Sequence, residues 1–311
     1  MPRHLIHVGY PKAGSTFLQE WFRQHPDLCY APGGLGGFPD VYSLCRLPEK
    51  PYRYYVTSFE GLSTPHRDAG RIRLDWSRSE PEFADPIKTD QAKVCDLLRT
   101  LYPDSRVLLV TRGFRDLMIS GYSQYVRSGG VLHLEGMSRA FAEHARTDAL
   151  HYYDFDYLIR LYTEAFGEES LIVLPYELLR DDRKGFLTVL EEALGLEHVE
   201  LEIGRVNPSL SPEELYWYPV ISRRVAAVAA RLGADRFERL YRRYATIPFH
   251  NRLRPVIRLL ARLKPDRKIT ESDFPEDVLR HCVGKATLLR HRPLYAPYAR
   301  EYLWDDEPAG A

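Results

Sequence analysis

At 311 residues, with 44% hydrophobic and 28% charged side chains, the chain has the length of one large α/β domain or two smaller ones and the composition of a folded protein. Its 43 basic and 43 acidic residues cancel, so no global field draws it to nucleic acid or to an anionic membrane, and any anion site has to be local. The four cysteines, Cys29, Cys45, Cys95 and Cys282, form no CxxC pair, which excludes a zinc ribbon or dithiol centre and fits reduced thiols. The first residues contain too short an apolar stretch for a signal peptide, and no run of about 18 apolar residues occurs. A soluble, cytoplasmic protein is expected.

Leu5 to Val8 is an apolar run ending at Gly9, and Ser15 to His25 places Phe17, Leu18, Trp21 and Phe22 at helical spacing, which predicts strand, loop and helix. From Cys29 to about Tyr55, glycine and proline predict an irregular segment, a flap over a pocket. A strand at Tyr54 to Thr57, a helix from Asp90 to Tyr102 and a fully buried strand from Arg106 to Thr111 follow. Next come a helix from Leu117 to Arg127, a long helix over Phe141 to Phe166, a strand from Ser170 to Pro175, and a helix from Gly185 to Leu194 stopped by Gly195. The alternation predicts an α/β fold, a P-loop-like parallel β-sheet flanked by helices. After Asn207-Pro208-Ser209 the pattern turns helical and rich in Arg and Tyr, so residues 1–210 are expected to form the core and 211–311 a helical C-terminal extension that contributes to acceptor binding.

Tyr10-Pro11-Lys12-Ala13-Gly14-Ser15-Thr16 joins the first strand to the first helix, and such a turn binds anions because unpaired N–H groups and the helix dipole point into it. Gly9 and Gly14 have the spacing of a Walker loop, but Ser15 stands where that loop puts lysine, and the lysine has moved to Lys12. Pro-Lys-Ala-Gly-Ser-Thr resembles the 5′-phosphosulfate loop of sulfotransferases, PK[SA]G[ST]T. A second stretch, Thr111-Arg112-Gly113-Phe114-Arg115-Asp116-Leu117-Met118-Ile119-Ser120-Gly121-Tyr122, is similar to the family's R(N/x)PxxxxxSxY, with Arg112 and Ser120 eight positions apart. Gly113-Phe114 departs from the usual Asn-Pro. Tyr157 to Gly167 and Leu171 to Leu179 extend the likeness over roughly residues 4 to 210, in the bacterial and heparan-type branch rather than the animal cytosolic one.

The resemblance implies a sulfotransferase using 3′-phosphoadenosine 5′-phosphosulfate (PAPS) as co-substrate and releasing 3′-phosphoadenosine 5′-phosphate (PAP), with a hydroxyl-bearing carbohydrate or small molecule as acceptor. It implies that Lys12, Ala13, Gly14, Ser15 and Thr16 hold the 5′-phosphosulfate and that Arg112 and Ser120 hold the 3′-phosphate. Lys12 doubles as the electrostatic catalyst. The basic RKGxxGxWK segment of cytosolic members is missing, and Arg205 is expected to substitute for it. Phe59-Glu60-Gly61-Leu62 is similar to the family's SEGL segment, which makes Glu60 the expected general base, with His7 and His66 as alternatives. No metal-ligand pattern occurs, so no metal is expected. Arg254, Arg258 and Arg262 share one helical face, read either as solvated or, with Arg223 and Arg224, as lining an acceptor groove. An atypical P-loop kinase and a non-catalytic nucleotide-binding protein are the competing readings. The kinase would need a Walker lysine and an acid after the second apolar strand, where Thr111-Arg112 stands.

Overall fold

The computed structural model describes residues 3–32, 51–64, 87–145, 153–204, 210–231, 234–249, 252–260, 262, 273 and 276–306. Five parallel strands form one sheet: β1 (Arg3–Gly9), β2 (Leu28–Cys29), β3 (Tyr54–Ser58), β4 (Arg106–Thr111) and β5 (Leu171–Pro175), in the order β2-β3-β1-β4-β5. The central strands read as continuous apolar runs because helices cover both their faces. Leu5, Ile6 and Val8 of β1 and Val107 to Val110 of β4 are buried. The two strands pair in register from Leu5–Arg106 to Gly9–Val110. From β1 the chain moves toward β2 and from β4 toward β5, so the crevice at their carboxyl ends is the topological switch point.

Between β1 and β2, α1 (Ser15–Gln24) buries Leu18, Trp21 and Phe22, at i, i+3 and i+4, against the sheet. Each such side chain contributes roughly 1.5–3 kcal/mol. Before β4, α2 (Ile87–Leu101) buries Ile87, Gln91, Cys95 and Leu98 on one stripe. It begins three residues ahead of the expected Asp90. After β4 come α3 (Phe114–Arg127) and α4 (Leu134–Ala145); α5 (Phe155–Phe166) then leads to β5. The expected single helix over Phe141 to Phe166 is two elements: Asp154 leaves helical geometry (φ −77°, ψ 84°) and its carboxylate accepts the Tyr157 N–H at 2.9 Å, starting α5 afresh.

After β5, α6 (Tyr176–Asp181) and α7 (Arg183–Leu194) follow, the latter ended by Gly195 in the left-handed region (φ 65°). The tail contains α8 (Pro212–Ala230), α9 (Ala234–Phe249), α10 (Arg254–Leu260), α11 (Glu276–Arg280) and short 3₁₀ turns, the last at Trp304–Asp306. Ser211 and Glu214 form a capping box that starts α8. Leu210, Leu215 and Tyr218, and Leu289, Tyr295, Tyr302 and Trp304 further on, join the same hydrophobic core as the sheet. Edge strand β2 was not expected from the sequence. It is two residues long and gains its place from pairing with Tyr54 and Tyr55. The expected flap falls largely outside the described residues, as do Arg205 and His66. Among the described residues no helix is long and apolar enough to cross a membrane.

Candidate active site

The loop after β1 turns sharply because two glycine-like conformations occur in it, on either side of Ala13. Lys12 has φ 70° although it carries a side chain, and Gly14 has φ 82°. The strain at Lys12 is held by its neighbours: the Ala13 N–H returns to the Tyr10 carbonyl at 3.2 Å, and the Arg112 guanidinium donates to the Lys12 carbonyl at 2.7 Å. Gly14 caps α1 without a side chain and the first turn carries no acid, so its positive pole is not neutralised locally. Ser15 Oγ is buried beside the Glu60 carboxyl, and a Cβ built on Gly9 would come within 2.7 Å of it. A buried hydroxyl beside a narrow backbone cradle fits an anionic oxygen. Ala13 is buried beneath the loop, and Thr16 is exposed on the first turn of α1.

Glu60 reaches this loop from β3. It opens the 3₁₀ turn Glu60–Leu62, which the Ser63 hydroxyl pins by donating to the Gly9 carbonyl at 2.8 Å; the Gln91 amide in turn donates to the Ser63 carbonyl at 2.7 Å. The Phe59 ring folds over Gly61, where a Cβ would lie 2.4 Å from it, and stays 65% exposed. Burial raises the Glu60 carboxyl above the ordinary carboxylate range, and the Ser15 hydroxyl and the Lys12 ammonium pull it partly back. Burial lowers the Lys12 ammonium, and the Arg127 and Arg112 charges lower it further against the opposing pull of Glu60. Lys12 and Glu60 are thus electrostatically coupled, each displaced toward neutrality.

Arg112 leaves β4 directly across the crevice. Its guanidinium lies 4.4 Å from the Tyr176 ring centre, and Asp116, one turn into α3, stands 3.7 Å away while pairing more closely with Arg180 at 2.6 Å. Behind it, the Gly113 N–H donates to Glu177 at 2.8 Å. Ser120 is half-buried on α3. Asp116, Ser120 and Arg127 recur at helical spacing (i, i+4, i+11), so one stripe of α3 carries all three. Of the sequence-chosen residues, the structure links Lys12, Ser15, Glu60 and Arg112 through the interactions above. His7, the alternative base, is fully buried in β1 with its Nδ1 2.8 Å from the Ser58 hydroxyl, and burial lowers it to about 3.

Sequence reading missed Arg127, Tyr176 and Glu177. The signal for Arg127 was present, since it lies two turns after Ser120 on the same helical stripe. Nothing local announces the partnership of Glu177 with Gly113, which spans 64 positions. The tail arginines divide. Arg254 pairs with the buried Glu214 at 2.7 Å, and Glu214 also accepts from Tyr218 at 3.1 Å, whereas Arg223 donates to the Val131 carbonyl at 3.1 Å. Among the described residues no group of three acidic, His or Cys side chains is arranged to hold a metal ion.

A sulfotransferase from Alicyclobacillus acidocaldarius is 21% identical to this chain, aligned over 75% of it and 96% of the other, with a TM-score of 0.42. Mouse sulfotransferase SULT7A1, solved in complex with PAP, is 14% identical over 84% of this chain and 87% of its own, with a TM-score of 0.34. No curated protein matches the chain in sequence. The model of the Sulfotransferase family matches residues 5–200, from β1 through α7. That stretch contains the Lys12 loop, the Glu60 turn and the Arg112 corner together, and the chain belongs to the sulfotransferase family.

Proposed function

We propose that the chain transfers the sulfuryl group of PAPS to the hydroxyl of a carbohydrate or other small-molecule acceptor, without a metal ion. The observation that carries this reading is the 2.7 Å bond from the Arg112 guanidinium to the Lys12 carbonyl. It joins two cationic corners at one switch point, where a nucleotide phosphorylated at both ends can span them. In this reading the Ser15 hydroxyl and the N–H groups of Gly14, Ser15 and Thr16 bind the 5′-phosphate, with Ala13 packed beneath. Arg112 and Ser120 bind the 3′-phosphate. Arg205 is the proposed further ligand, and 211–311 the acceptor-binding extension of the 1–210 core.

The donor supplies an activated S–O bond. The acceptor oxygen bonds to sulfur as the bond from sulfur to the 5′-phosphate oxygen breaks, and the acceptor proton passes to the Glu60 carboxylate. Lys12 offers a compact ammonium to the charge growing on the leaving oxygen. Its lowered proton affinity is offset once phosphate oxygens surround it, because anions favour the charged form. The partly buried Glu60, raised toward neutral pH, is better matched to accept a hydroxyl proton than a solvated carboxylate. The exposed Phe59 ring beside it gives the acceptor an apolar surface.

The test is transfer of radiolabelled sulfate from PAPS to a panel of sugars, phenols and lipid-linked sugars. A labelled product made by the wild type and lost in Glu60→Gln is expected. Label transfer that survives Glu60→Gln undiminished would remove Glu60 as the base, and transfer of γ-phosphate from ATP with Mg²⁺ instead would replace the whole reading.

A further inference from the structure

The segment 282–306 follows the residues that the family model matches, yet it runs back over the carboxyl ends of β4 and β5. Its closing turns are fixed by the Trp304 indole, which donates to the Ala286 carbonyl at 3.0 Å, and by Leu303 in the left-handed region (φ 62°). Two tyrosines of this strap are fully buried at the end of β4. Thr111 Oγ1 lies 2.8 Å from the Tyr295 hydroxyl and 2.9 Å from the Tyr302 hydroxyl. The Tyr302 hydroxyl also donates to Glu177 at 3.1 Å, and the other oxygen of that carboxylate accepts the Gly113 N–H. On the outside, Arg115 Nε donates to the Arg300 carbonyl at 3.2 Å.

Gly113 therefore sits between Glu177 and the strap. A Cβ there would meet the Glu301 Cβ at 2.5 Å and its backbone at 3.0 Å, although the φ of −53° would suit any residue. The glycine is required by close approach and not by conformation. Phe114, where the family usually has proline, is fully buried and stacks on Phe155 with ring centres 5.0 Å apart, and it meets Tyr302 edge-on at 6.3 Å. The departure from Asn-Pro thus has a structural counterpart: a rigid proline turn is replaced by a turn held from outside.

We propose that Glu177 and Tyr302 are positioning residues, which hold the Arg112-Gly113 turn against the C-terminal strap so that Arg112 meets the 3′-phosphate of the nucleotide. The proposal rests on the reading of Arg112 as a 3′-phosphate ligand. Glu177 and Tyr302 need not touch the nucleotide. They act through the main chain, since Gly113 directly follows Arg112 and its N–H has a fixed acceptor. Because the carboxylate lies in the interior, loss of either partner leaves a buried polar group unmatched and lets the turn move.

The test is calorimetric titration of the full chain with PAP and with adenosine 5′-phosphate, which lacks the 3′-phosphate. For the wild type the first should bind tighter by about thirtyfold, the value of a charge-assisted phosphate contact. Tyr302→Phe should cut that ratio by about three- to tenfold, the range of one buried hydrogen bond, with little change for adenosine 5′-phosphate. Glu177→Ala should cut it further. Glu177→Gln should largely restore it, because the amide can accept from Gly113 and donate to Tyr302. If Glu177→Ala does not fold, Thr111→Val, which removes the hydroxyl shared by Tyr295 and Tyr302 and leaves Tyr302 only Glu177, joins Tyr302→Phe as the second variant. A ratio unchanged in the variants, or equal weakening of both nucleotides, overturns the positioning role alone. A wild-type ratio near one overturns the 3′-phosphate reading of Arg112 and this proposal with it.

Discussion

The corner after β1 carries its geometry within the stretch from Gly9 to Thr16, whereas the corner after β4 is assembled from segments as far apart as Arg112, Glu177 and Tyr302. In the first, a strand, a left-handed Lys12-Gly14 turn and a bare helix N-terminus are encoded by neighbouring residues, and Ser63 and Arg112 add bonds to the Gly9 and Lys12 carbonyls. In the second, the cation is local but its turn is held by a carboxylate from α6 and a hydroxyl from the strap. The first corner should respond most to substitutions within its own stretch. The assembled one should respond to changes far away in sequence.

The largest effect is expected at the corner after β1. Lys12→Ala should lower kcat about a thousandfold, as loss of one preorganised charge at a leaving oxygen does, while nucleotide affinity changes less. Steady-state kinetics with PAPS checks it. Glu60→Gln should lower kcat about a hundredfold and remove the acid limb of the pH profile. The sign follows from the two shifts: Glu60 must be ionised and its carboxyl is raised, so log kcat/KM should rise with pH through a range above that of an ordinary carboxylate. Lys12 must be charged and its ammonium is lowered, so the alkaline fall should begin below the range of an ordinary lysine.

The assembled corner should answer in binding. Arg112→Ala should weaken PAP by about thirtyfold in titration calorimetry, with a smaller change in kcat at saturation. Smallest are the stability effects. Gly9→Ala, whose Cβ would crowd the Ser15 hydroxyl and the His7 ring, and Gly113→Ala, whose Cβ would strike Glu301, should each cost about 1–3 kcal/mol in denaturant unfolding. Shortening the strap side chain by Glu301→Gly should partly relieve Gly113→Ala and leave Gly9→Ala unrelieved, which distinguishes the two corners directly.

The same contrast explains what the sequence revealed. β1, β4 and β5 were legible because strands buried on both faces are continuous apolar runs, and Gly195 marked the end of α7. Lys12, Ser15 and Arg112 were legible because each lies within a few positions of a strand end. The break between α4 and α5 was not, since Phe141 and the residues around Phe155 keep an apolar helical rhythm that hides the Asp154 cap. Tyr302 was not legible either. Its partners Thr111 and Glu177 are 191 and 125 positions away, and only the folded sheet brings them together.

The central claim is that the crevice binds a nucleotide phosphorylated at both ends, and titration calorimetry with PAP and with ATP plus Mg²⁺ tests it most directly. The account predicts that PAP binds at least about tenfold more tightly than ATP with Mg²⁺, and that Arg112→Ala erases most of the difference. Tighter binding of ATP with Mg²⁺ than of PAP would contradict it.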